Sequence, residues 1–281
     1  MGDHVWSMGR TAVVTGANQG LGFALASGLA KQLEADDVVY LTGRDPVRVR
    51  HAVERVRSPR ARVRGRVLDV RDDAAFRALT DELGGVDIVF SNAAARLTPD
   101  TSWSELVEPF VQTNNLGTTR ALRAFAPVLR PGGRLLVVAS SFGTLRELPA
   151  HLHARFDTDT MSLDDVDAVM AAWRDAVLEG RAADEGWPDW INIPSKVGQV
   201  AAVRVLARER RDADAASATL VAAVCPGLVD TEASRPWFAD MRGAQTPDQA
   251  AAALLRLALD PRPNQDFHGE LVQFGKILPW R

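Results

Sequence analysis

The segment Thr15-Gly16-Ala17-Asn18-Gln19-Gly20-Leu21-Gly22 decides the fold of this chain. It follows the apolar run RTAVVT (10–15), a strand candidate, and it opens a stretch with helical spacing at 20–34. Three glycines at this spacing let the backbone turn tightly and approach a pyrophosphate, which then lies at the positive N-terminus of the helix. A glycine triplet alone is a weak signal, but its place between a strand and a helix is the context that it requires. The segment therefore predicts a dinucleotide-binding turn.

Strand-like and helix-like stretches alternate along the rest of the chain. Further strand candidates lie at 38–42, 64–68, 86–91, 134–139, 219–224 and 270–274, and helical stretches lie at 46–57, 72–83, 103–129, 190–211 and 247–258. This alternation predicts an α/β fold, a doubly wound, seven-stranded parallel sheet with helices on both faces. The apolar runs lack clean alternation, as expected for strands that are buried on both sides. Because no linker or repeat is visible, residues 1–281 are predicted to form a single domain.

Length and composition narrow the class of protein. The chain has 281 residues, of which 46% are hydrophobic and 25% charged, as in soluble globular proteins. It has no run of about 18 apolar residues that would predict a transmembrane helix, and its short polar start (1–10) does not resemble a signal peptide. The net charge of −3 gives no basic footprint for nucleic acid, and a single cysteine, Cys225, excludes an internal disulfide. We therefore expect a cytoplasmic protein with no metal, no nucleic-acid partner and no membrane partner.

Several later motifs follow the glycine segment in a fixed order. They are Asp69-Val70, Ser91-Asn92-Ala93-Ala94, Thr113-Asn114 and Cys225-Pro226-Gly227-Leu228-Val229-Asp230-Thr231. Together with the spacing TGxxxGxG, this series resembles the short-chain dehydrogenase/reductase family, which has a Rossmann fold, over essentially the whole chain. The resemblance implies a dinucleotide that contacts Gly16, Asn18, Gln19, Gly20, Leu21, Gly22, Asp69, Val70, Asn92, Ala93, Lys196, Pro226, Gly227, Val229 and Thr231.

The end of the second predicted strand indicates which dinucleotide binds. An acidic residue there would bind the ribose 2′-hydroxyl of NAD, whereas an arginine favours the 2′-phosphate of NADP. The strand runs into Thr42-Gly43-Arg44, which Asp45 follows. Arg44 therefore predicts NADP(H) as the cofactor, with NAD(H) as the less favoured alternative.

The resemblance also implies catalytic positions, and one of them is altered. Family members polarise a carbonyl with a serine, protonate it with a tyrosine, and hold the ribose with a lysine four residues later; an asparagine supports a water relay. Ser140, Lys196 and Asn114 match three of these positions, but Asn192 occupies the tyrosine position. The only tyrosine, Tyr40, lies in the second predicted strand, where we interpret it as a core residue. Because an amide releases no proton near pH 7, ordinary ketones are expected to be poor substrates.

The asparagine leaves four interpretations open. The first is a hydride-transferring enzyme whose substrate needs no strong acid, such as an iminium or a conjugated carbonyl. The second is a reductase that recruits another acid from His151, His153 or Asp189. The third is a non-redox enzyme or a nucleotide-binding protein that keeps the cofactor pocket, and the fourth is a laboratory substitution of the tyrosine. We expect an atypical NADP(H)-dependent reductase acting on a C=O or C=N group of an apolar small molecule.

Two segments complete the expected site. Residues 142–190, helical at 164–179, are predicted to be an ordered insertion before the active-site helix. Within them, Glu185-Gly186-Trp187-Pro188 resembles the carbonyl reductase branch of the family, which implies a monomer. Residues 228–246 match the substrate lid of the family, a type of segment that closes over a site and excludes water. Trp190 and Trp237 flank the active-site helix and this lid, so they are candidates for lining an apolar substrate pocket.

Overall fold

The computed structural model describes residues 9–281, whose strands form one sheet. The strands are β1 (Thr11–Val14), β2 (Val38–Gly43), β3 (Arg62–Val67), β4 (Val86–Ser91), β5 (Leu129–Val138), β6 (Leu220–Cys225), β7 (Leu271–Gln273) and β8 (Lys276–Leu278). Their order is β3-β2-β1-β4-β5-β6-β7-β8. The order reverses between β1 and β4, and in such sheets ligands bind at this switch point, beyond the carboxyl ends of the strands. The expectation about a signal peptide concerns a stretch (1–10) of which residues 1–8 lie outside the described residues.

Within residues 9–281, eight α-helices cover the two faces of the sheet. They are α1 (Gly20–Gln32), α2 (Pro46–Arg55), α3 (Asp73–Leu83), α4 (Trp103–Phe110), α5 (Leu116–Phe125), α6 (Leu163–Leu178), α7 (Asn192–Ala216) and α8 (Pro247–Leu259). One hydrophobic core packs α1, α2 and α8 against one face, and a larger core packs α3 to α7 against the other. The predicted α/β, doubly wound architecture with helices on both faces is therefore confirmed.

The sheet has one strand more than the seven predicted, and that strand is antiparallel. β7 and β8 pair antiparallel, whereas the other neighbouring strands pair parallel. The two residues between them, Phe274 and Gly275, have φ angles of +49° and +74°. Two consecutive positive φ angles form the type of tight turn that matches the twist of a hairpin. No turn was predicted there, because phenylalanine rarely adopts this conformation.

The single helix predicted over 103–129 is divided in the structure. A π-helical turn at Val111–Asn115 separates α4 from α5, and a 3₁₀ turn at Ala126–Val128 leads into β5. Pro109 lies inside α4 and has no N–H to donate to the helical ladder. Such π-helical turns insert one residue into a helix and often occur at functional sites. This one contains Asn114.

The segment 142–190 is packed into the main core. It contains three 3₁₀ turns and α6, and its aromatic side chains Phe156, Trp173 and Trp187 are buried beneath it. The ring of Trp187 lies 6.2 Å from that of Trp173 and 6.4 Å from that of Phe156. These residues share one hydrophobic cluster with the sheet. No helix among residues 9–281 is long and apolar enough to cross a membrane.

Candidate active site

The glycine turn between β1 and α1 leaves space for a phosphate group. Gly16 and Gly20 have φ angles of +62° and +54°, which disfavour residues with a side chain. A Cβ on Gly16 would lie 2.7 Å from the Ala93 Cα, whereas a Cβ on Gly20 would meet only the Thr231 side chain at 3.8 Å. No side chain caps the N-terminus of α1 at Gln19, so the N–H groups of its first turn can bind an anion. This cradle fits the pyrophosphate of a dinucleotide.

The loop after β4 holds the glycine turn in place. The Thr15 hydroxyl oxygen accepts hydrogen bonds from the backbone N–H groups of Asn92 and Ala93 at 2.9 and 3.0 Å. The Asn92 amide donates to the Thr15 carbonyl oxygen at 3.0 Å, and a Cβ on Gly22 would lie 2.4 Å from its nitrogen. Asn92 and Ala93, predicted to contact the cofactor, therefore also shape the turn.

Two arginines lie beside the glycine turn. Arg44, just after β2, is exposed, and its charge contributes to lowering the pKa of Asp69. The larger cause is Arg71, whose Nη2 lies 2.6 Å from the Asp69 carboxylate and holds it in the ionised form. Arg48, in the first turn of α2, hydrogen-bonds the Gln19 side chain. It is one of nine arginines in 44–66, a positive field that could attract a phosphate.

A cavity of about 410 Å³ lies beyond the carboxyl ends of the central strands. It brings together the four predicted catalytic residues, which come from the π-helical turn, the end of β5 and the start of α7: Asn114, Ser140, Asn192 and Lys196. Further predicted residues complete its wall: Leu21, Trp190, Pro226, Gly227, Val229, Thr231 and Trp237. The other predicted cofactor residues do not line this cavity: Gly16, Asn18, Gln19, Gly20, Gly22, Arg44, Asp69, Val70, Asn92 and Ala93. Most of these belong to the glycine turn or follow β2, β3 and β4.

Val70 has a packing role in the structure. Its side chain is buried, and its Cγ2 would lie 3.0 Å from a Cβ placed on Gly117 of α5. Val70 therefore sets the close approach between the end of β3 and α5, while its neighbour Asp69 pairs with Arg71.

Asn192 and Lys196 lie one turn apart in the first two turns of α7. Pro194 between them is tolerated because the first N–H groups of a helix make no intrahelical hydrogen bond. No hydrogen bond reaches the Asn192 amide from the part of the chain that the structure describes, and this amide lines the cavity. Its two polar atoms are therefore available to a substrate or water.

Ser140 and Lys196 have partners that leave hydrogens for a ligand. The Ser140 Oγ accepts the Phe142 N–H at 3.3 Å, so its hydroxyl hydrogen remains available. The Lys196 Nζ donates to the Gln199 Oε1 at 2.7 Å and lies 3.5 Å from the Val138 carbonyl oxygen. Loss of water around the buried ammonium lowers the pKa of Lys196 to about 8, and the nearby Cys225 sulfur acts in the opposite direction without cancelling the shift.

Asn114 anchors the loop after β4 through its side chain. Its Oδ1 accepts the Ala95 N–H at 2.8 Å, and its Nδ2 lies 3.5 Å from the Ser195 Oγ. Its carbonyl oxygen accepts the Thr118 hydroxyl at 2.6 Å. Thr118 and Gln199 were not predicted as site residues. Their only sequence signal is a polar residue at a position that the helical spacing assigns to the core.

Aromatic side chains form one wall of the cavity. The rings of Trp190 and Trp237 meet edge to face at 5.2 Å, and Trp103 lies 5.9 Å from Trp237 on the other side. Phe142 and Phe238 also line the cavity. The wall is therefore suited to an apolar ligand, as the two tryptophans led us to expect.

The lid segment 228–246 is closed at its base by backbone pairing. Val229 and Gln245 form an isolated bridge, the Asp230 N–H donates to the Gln245 carbonyl at 2.8 Å, and the Gln245 N–H donates to Leu228 at 2.9 Å. The Gln245 amide also donates to the Pro226 carbonyl at 2.9 Å. The segment between these ends contributes Thr231, Ala233, Ser234, Trp237 and Phe238 to the cavity.

The three residues considered as relocated acids do not line this cavity. The ring Nε2 of His151 lies 3.0 Å from the Glu185 carbonyl, and that of His153 lies 2.9 Å from the Leu148 carbonyl. Asp189 is also absent from the cavity wall. Tyr40 is buried in β2, where its hydroxyl lies 3.4 Å from an Arg64 nitrogen. Residues 9–281 hold no group of three or more His, Cys, Asp or Glu side chains placed to bind a metal ion.

Comparison with known proteins places this chain in a family. A family model described as short chain dehydrogenase matches residues 10–150. Carbonyl reductase [NADPH] 1 of Mus musculus is 31% identical over 277 residues, which cover 96% of this chain and 98% of that protein. The chain belongs to the short chain dehydrogenase family. Carbonyl reductase [NADPH] 3 of Rattus norvegicus, another relative, is 32% identical over 98% of this chain and 99% of its own.

Solved structures share the fold of this chain. Salutaridine reductase from Papaver somniferum superposes with a TM-score of 0.77 at 24% identity, over 93% of this chain and 99% of that one. A short chain dehydrogenase from Burkholderia cenocepacia in complex with NADP has a TM-score of 0.64 at 20% identity, over 95% and 96%.

Proposed function

We propose that this protein is an NADP(H)-dependent reductase that transfers hydride to a carbonyl group of an apolar small molecule, with proton delivery that differs from that of a tyrosine-bearing site. The observation that carries the proposal is the convergence of Ser140, Asn192 and Lys196 on one cavity beside the Pro226–Thr231 segment. Relatives that are about 30% identical over nearly the whole chain are named as carbonyl reductases.

Three features support NADP(H) as the cofactor. The glycine turn and the uncapped start of α1 fit a pyrophosphate. Arg44 follows β2 at the position where an arginine favours a 2′-phosphate, and Arg48 adds a second guanidinium next to the turn. NADPH also appears in the names of the relatives.

The residues around the cavity have separate tasks in this reaction. Bound NADPH would supply the hydride. The Ser140 hydroxyl and the Asn192 amide can each donate a hydrogen bond to the substrate oxygen as negative charge develops on it. The aromatic wall of Trp190 and Trp237 contacts the apolar part of the substrate, and the lid keeps water away. We further propose that the protein acts as a monomer, because the insertion 142–190 resembles that of the carbonyl reductase branch.

The charges around the cavity favour a neutral carbonyl over a preformed iminium. Within the described residues, its wall contains no aspartate or glutamate, whereas Arg96 and Lys196 both contribute to it. A cationic substrate would enter beside the Lys196 ammonium, which has no carboxylate partner, and this is unfavourable in a partly desolvated site. A carbonyl that is conjugated or internally hydrogen-bonded needs less help from an acid and suits a site without a phenol.

Titration with NADPH and NADH, followed by NADPH consumption with carbonyl and imine panels, tests this proposal. We expect NADPH to bind more tightly than NADH, and conjugated carbonyls to be reduced faster than simple ketones or preformed iminium ions. Tight NADPH binding without turnover of any substrate would contradict the reductase proposal, and failure to bind either dinucleotide would contradict the cofactor assignment as well.

The second candidate function is a nucleotide-binding protein or non-redox enzyme on the same scaffold. Asn192 favours it, because an amide cannot perform the acid step of the family. The variant Asn192→Tyr distinguishes the two candidates. In a reductase that lacks a strong acid, the new phenol should raise the turnover of simple ketones by about 10²-fold or more. In a protein that only binds nucleotide, NADPH affinity should persist and turnover should stay absent.

A further inference from the structure

The cavity contains three side chains that can ionise. They are Arg96, Cys225 and Lys196, and no other ionisable side chain from residues 9–281 lines it. Arg96 carries a guanidinium, a group that is not deprotonated in proteins, and it lies 3.4 Å from Glu232. Burial raises the pKa of the Cys225 thiol, and the Gln273 amide donates to its sulfur at 3.1 Å. Only the Lys196 ammonium therefore exchanges its proton near neutral pH.

Lys196 is fixed by a buried chain of neutral groups. Its ammonium donates to the Gln199 Oε1 at 2.7 Å, the Gln199 Nε2 donates to the Thr118 Oγ1 at 2.8 Å, and the Thr118 hydroxyl donates to the Asn114 carbonyl at 2.6 Å. Gln199 and Thr118 are each 2% exposed. Because every donor in this chain points away from Lys196 and the amide has no proton to release, the chain orients the ammonium without drawing a proton from it.

The electrostatic surroundings of Lys196 make its proton available to the cavity. Gln199 offers a neutral acceptor where a carboxylate would hold the ammonium far more strongly. Burial places the pKa of Lys196 at about 8. A general acid is most effective when its pKa lies close to the working pH.

We propose, on the basis of the reductase function proposed above, that the Lys196 ammonium is the proton donor that replaces the missing phenol, and that Gln199 is its positioning residue. As hydride reaches the carbonyl carbon, the π electron pair of the C=O bond moves to oxygen. The oxygen then takes a proton from the Lys196 Nζ, which leaves a neutral amine. Asn192, shorter than tyrosine, leaves the space through which the substrate oxygen approaches Lys196. The amine regains its proton from solvent once the alcohol product has left.

The three lysines of the chain allow a direct measurement of this pKa. Lys31 and Lys276 are exposed and serve as controls within the same molecule. Brief acetylation with acetic anhydride between pH 6 and 11, read by mass spectrometry, gives the protonation midpoint of each amine. We expect the midpoint of Lys196 near 8, well below the ordinary value of about 10.4 for a lysine side chain.

Two substitutions of Gln199 test whether the protonation midpoint of Lys196 controls the pH dependence of turnover. Gln199→Glu places a carboxylate against the ammonium and should raise the Lys196 midpoint. Gln199→Met removes the acceptor from a buried cation and should lower it. The protonated lysine is the active form, so kcat at saturating NADPH should fall as pH rises through the midpoint. The fall should occur at higher pH in Gln199→Glu and at lower pH in Gln199→Met.

The outcomes separate this proposal from the one on which it rests. A wild-type protein that oxidises NADPH, but whose kcat does not fall around the Lys196 midpoint, overturns the acid role alone, even if neither Gln199 variant folds. A shift of the midpoint in a variant without a matching shift in the kcat profile does the same. A wild-type protein that never oxidises NADPH overturns the reductase function, and the acid role with it.

Discussion

Alanine substitutions at Gly16 and Gly20 should affect different properties of the glycine turn. Gly16 is packed against the loop after β4, whereas Gly20 faces the space that would hold the cofactor phosphate. Both residues have positive φ angles near +60°, so alanine costs about 1–2 kcal/mol at either position. About 0.4–1 kcal/mol of this is offset, because alanine also restricts the unfolded chain. Around Gly20 the space for a Cβ is open. We therefore expect Gly20→Ala to lower the free energy of unfolding by only about 1 kcal/mol.

Gly16→Ala is also disfavoured by a steric clash. Its Cβ would lie 2.7 Å from the Ala93 Cα and 3.1 Å from the Ala93 Cβ, so the loop after β4 must move. That movement strains the hydrogen bonds from Asn92 and Ala93 to the Thr15 hydroxyl. Overpacking costs about 1–3 kcal/mol, and a lost hydrogen bond costs about 1 kcal/mol. We therefore expect Gly16→Ala to lower the free energy of unfolding by about 2–5 kcal/mol in total.

Urea unfolding without cofactor and fluorescence titration with NADPH measure the two effects independently. Gly20→Ala should stay nearly as stable as the wild type but bind NADPH at least about tenfold more weakly, a loss of about 1.4 kcal/mol, because the methyl group occupies the open cradle. Gly16→Ala should show the larger loss of stability. Equal losses of stability in the two variants, or wild-type NADPH affinity in Gly20→Ala, would refute this assignment of the turn.

Two further predictions concern the cofactor phosphate and the insertion. Arg44→Ala should weaken NADPH binding by about 1.5–3 kcal/mol while leaving NADH binding nearly unchanged, since only NADPH carries the 2′-phosphate; equal effects in the two titrations would contradict the role of Arg44. Trp173→Ala should lower the free energy of unfolding by about 3–5 kcal/mol, because this indole is 1% exposed and packs against Trp187. Leu178→Ala, at an exposed position of the same helix, is the control and should change stability by about 0.5 kcal/mol or less.

The central sheet could be predicted from the sequence because its signals are local. The apolar runs, the glycine turn and the strand–helix alternation each depend on nearby residues, and parallel strands joined by helices leave few possible topologies. The final hairpin could not be predicted. Its turn uses Phe274 with φ +49°, an unusual choice for which sequence preferences give no signal. The π-helical turn at Val111–Asn115 also escaped prediction, because it depends on contacts with distant segments such as the Ala95 backbone.

The residues of the site also divide into those with a local sequence signal and those without one. Residues that belong to linear motifs, such as Ser140 and Lys196, could be named from the resemblance to the family. Gln199 and Thr118 could not, because their role arises from a hydrogen bond between α7 and α5 that the sequence does not reveal. The charge balance of the cavity depends likewise on Arg96 and on the lack of carboxylates among the described lining residues, which only the assembled structure shows.

Ser140 and Asn192 give different evidence on whether this protein is an enzyme or a nucleotide-binding protein. Ser140 accepts the Phe142 N–H and so helps to start a 3₁₀ turn, which gives it a structural reason to be present without any substrate. The Asn192 side chain has no hydrogen-bond partner among the described residues, yet it lies on the cavity wall. Lys196 keeps an ammonium in a desolvated place with only neutral acceptors, at a cost in free energy. Binding of the cofactor ribose explains a lysine at this position. It does not explain why a buried neutral glutamine, and not a carboxylate, accepts the hydrogen bond of the Lys196 ammonium. The pair Lys196–Gln199 is therefore the stronger argument for catalysis.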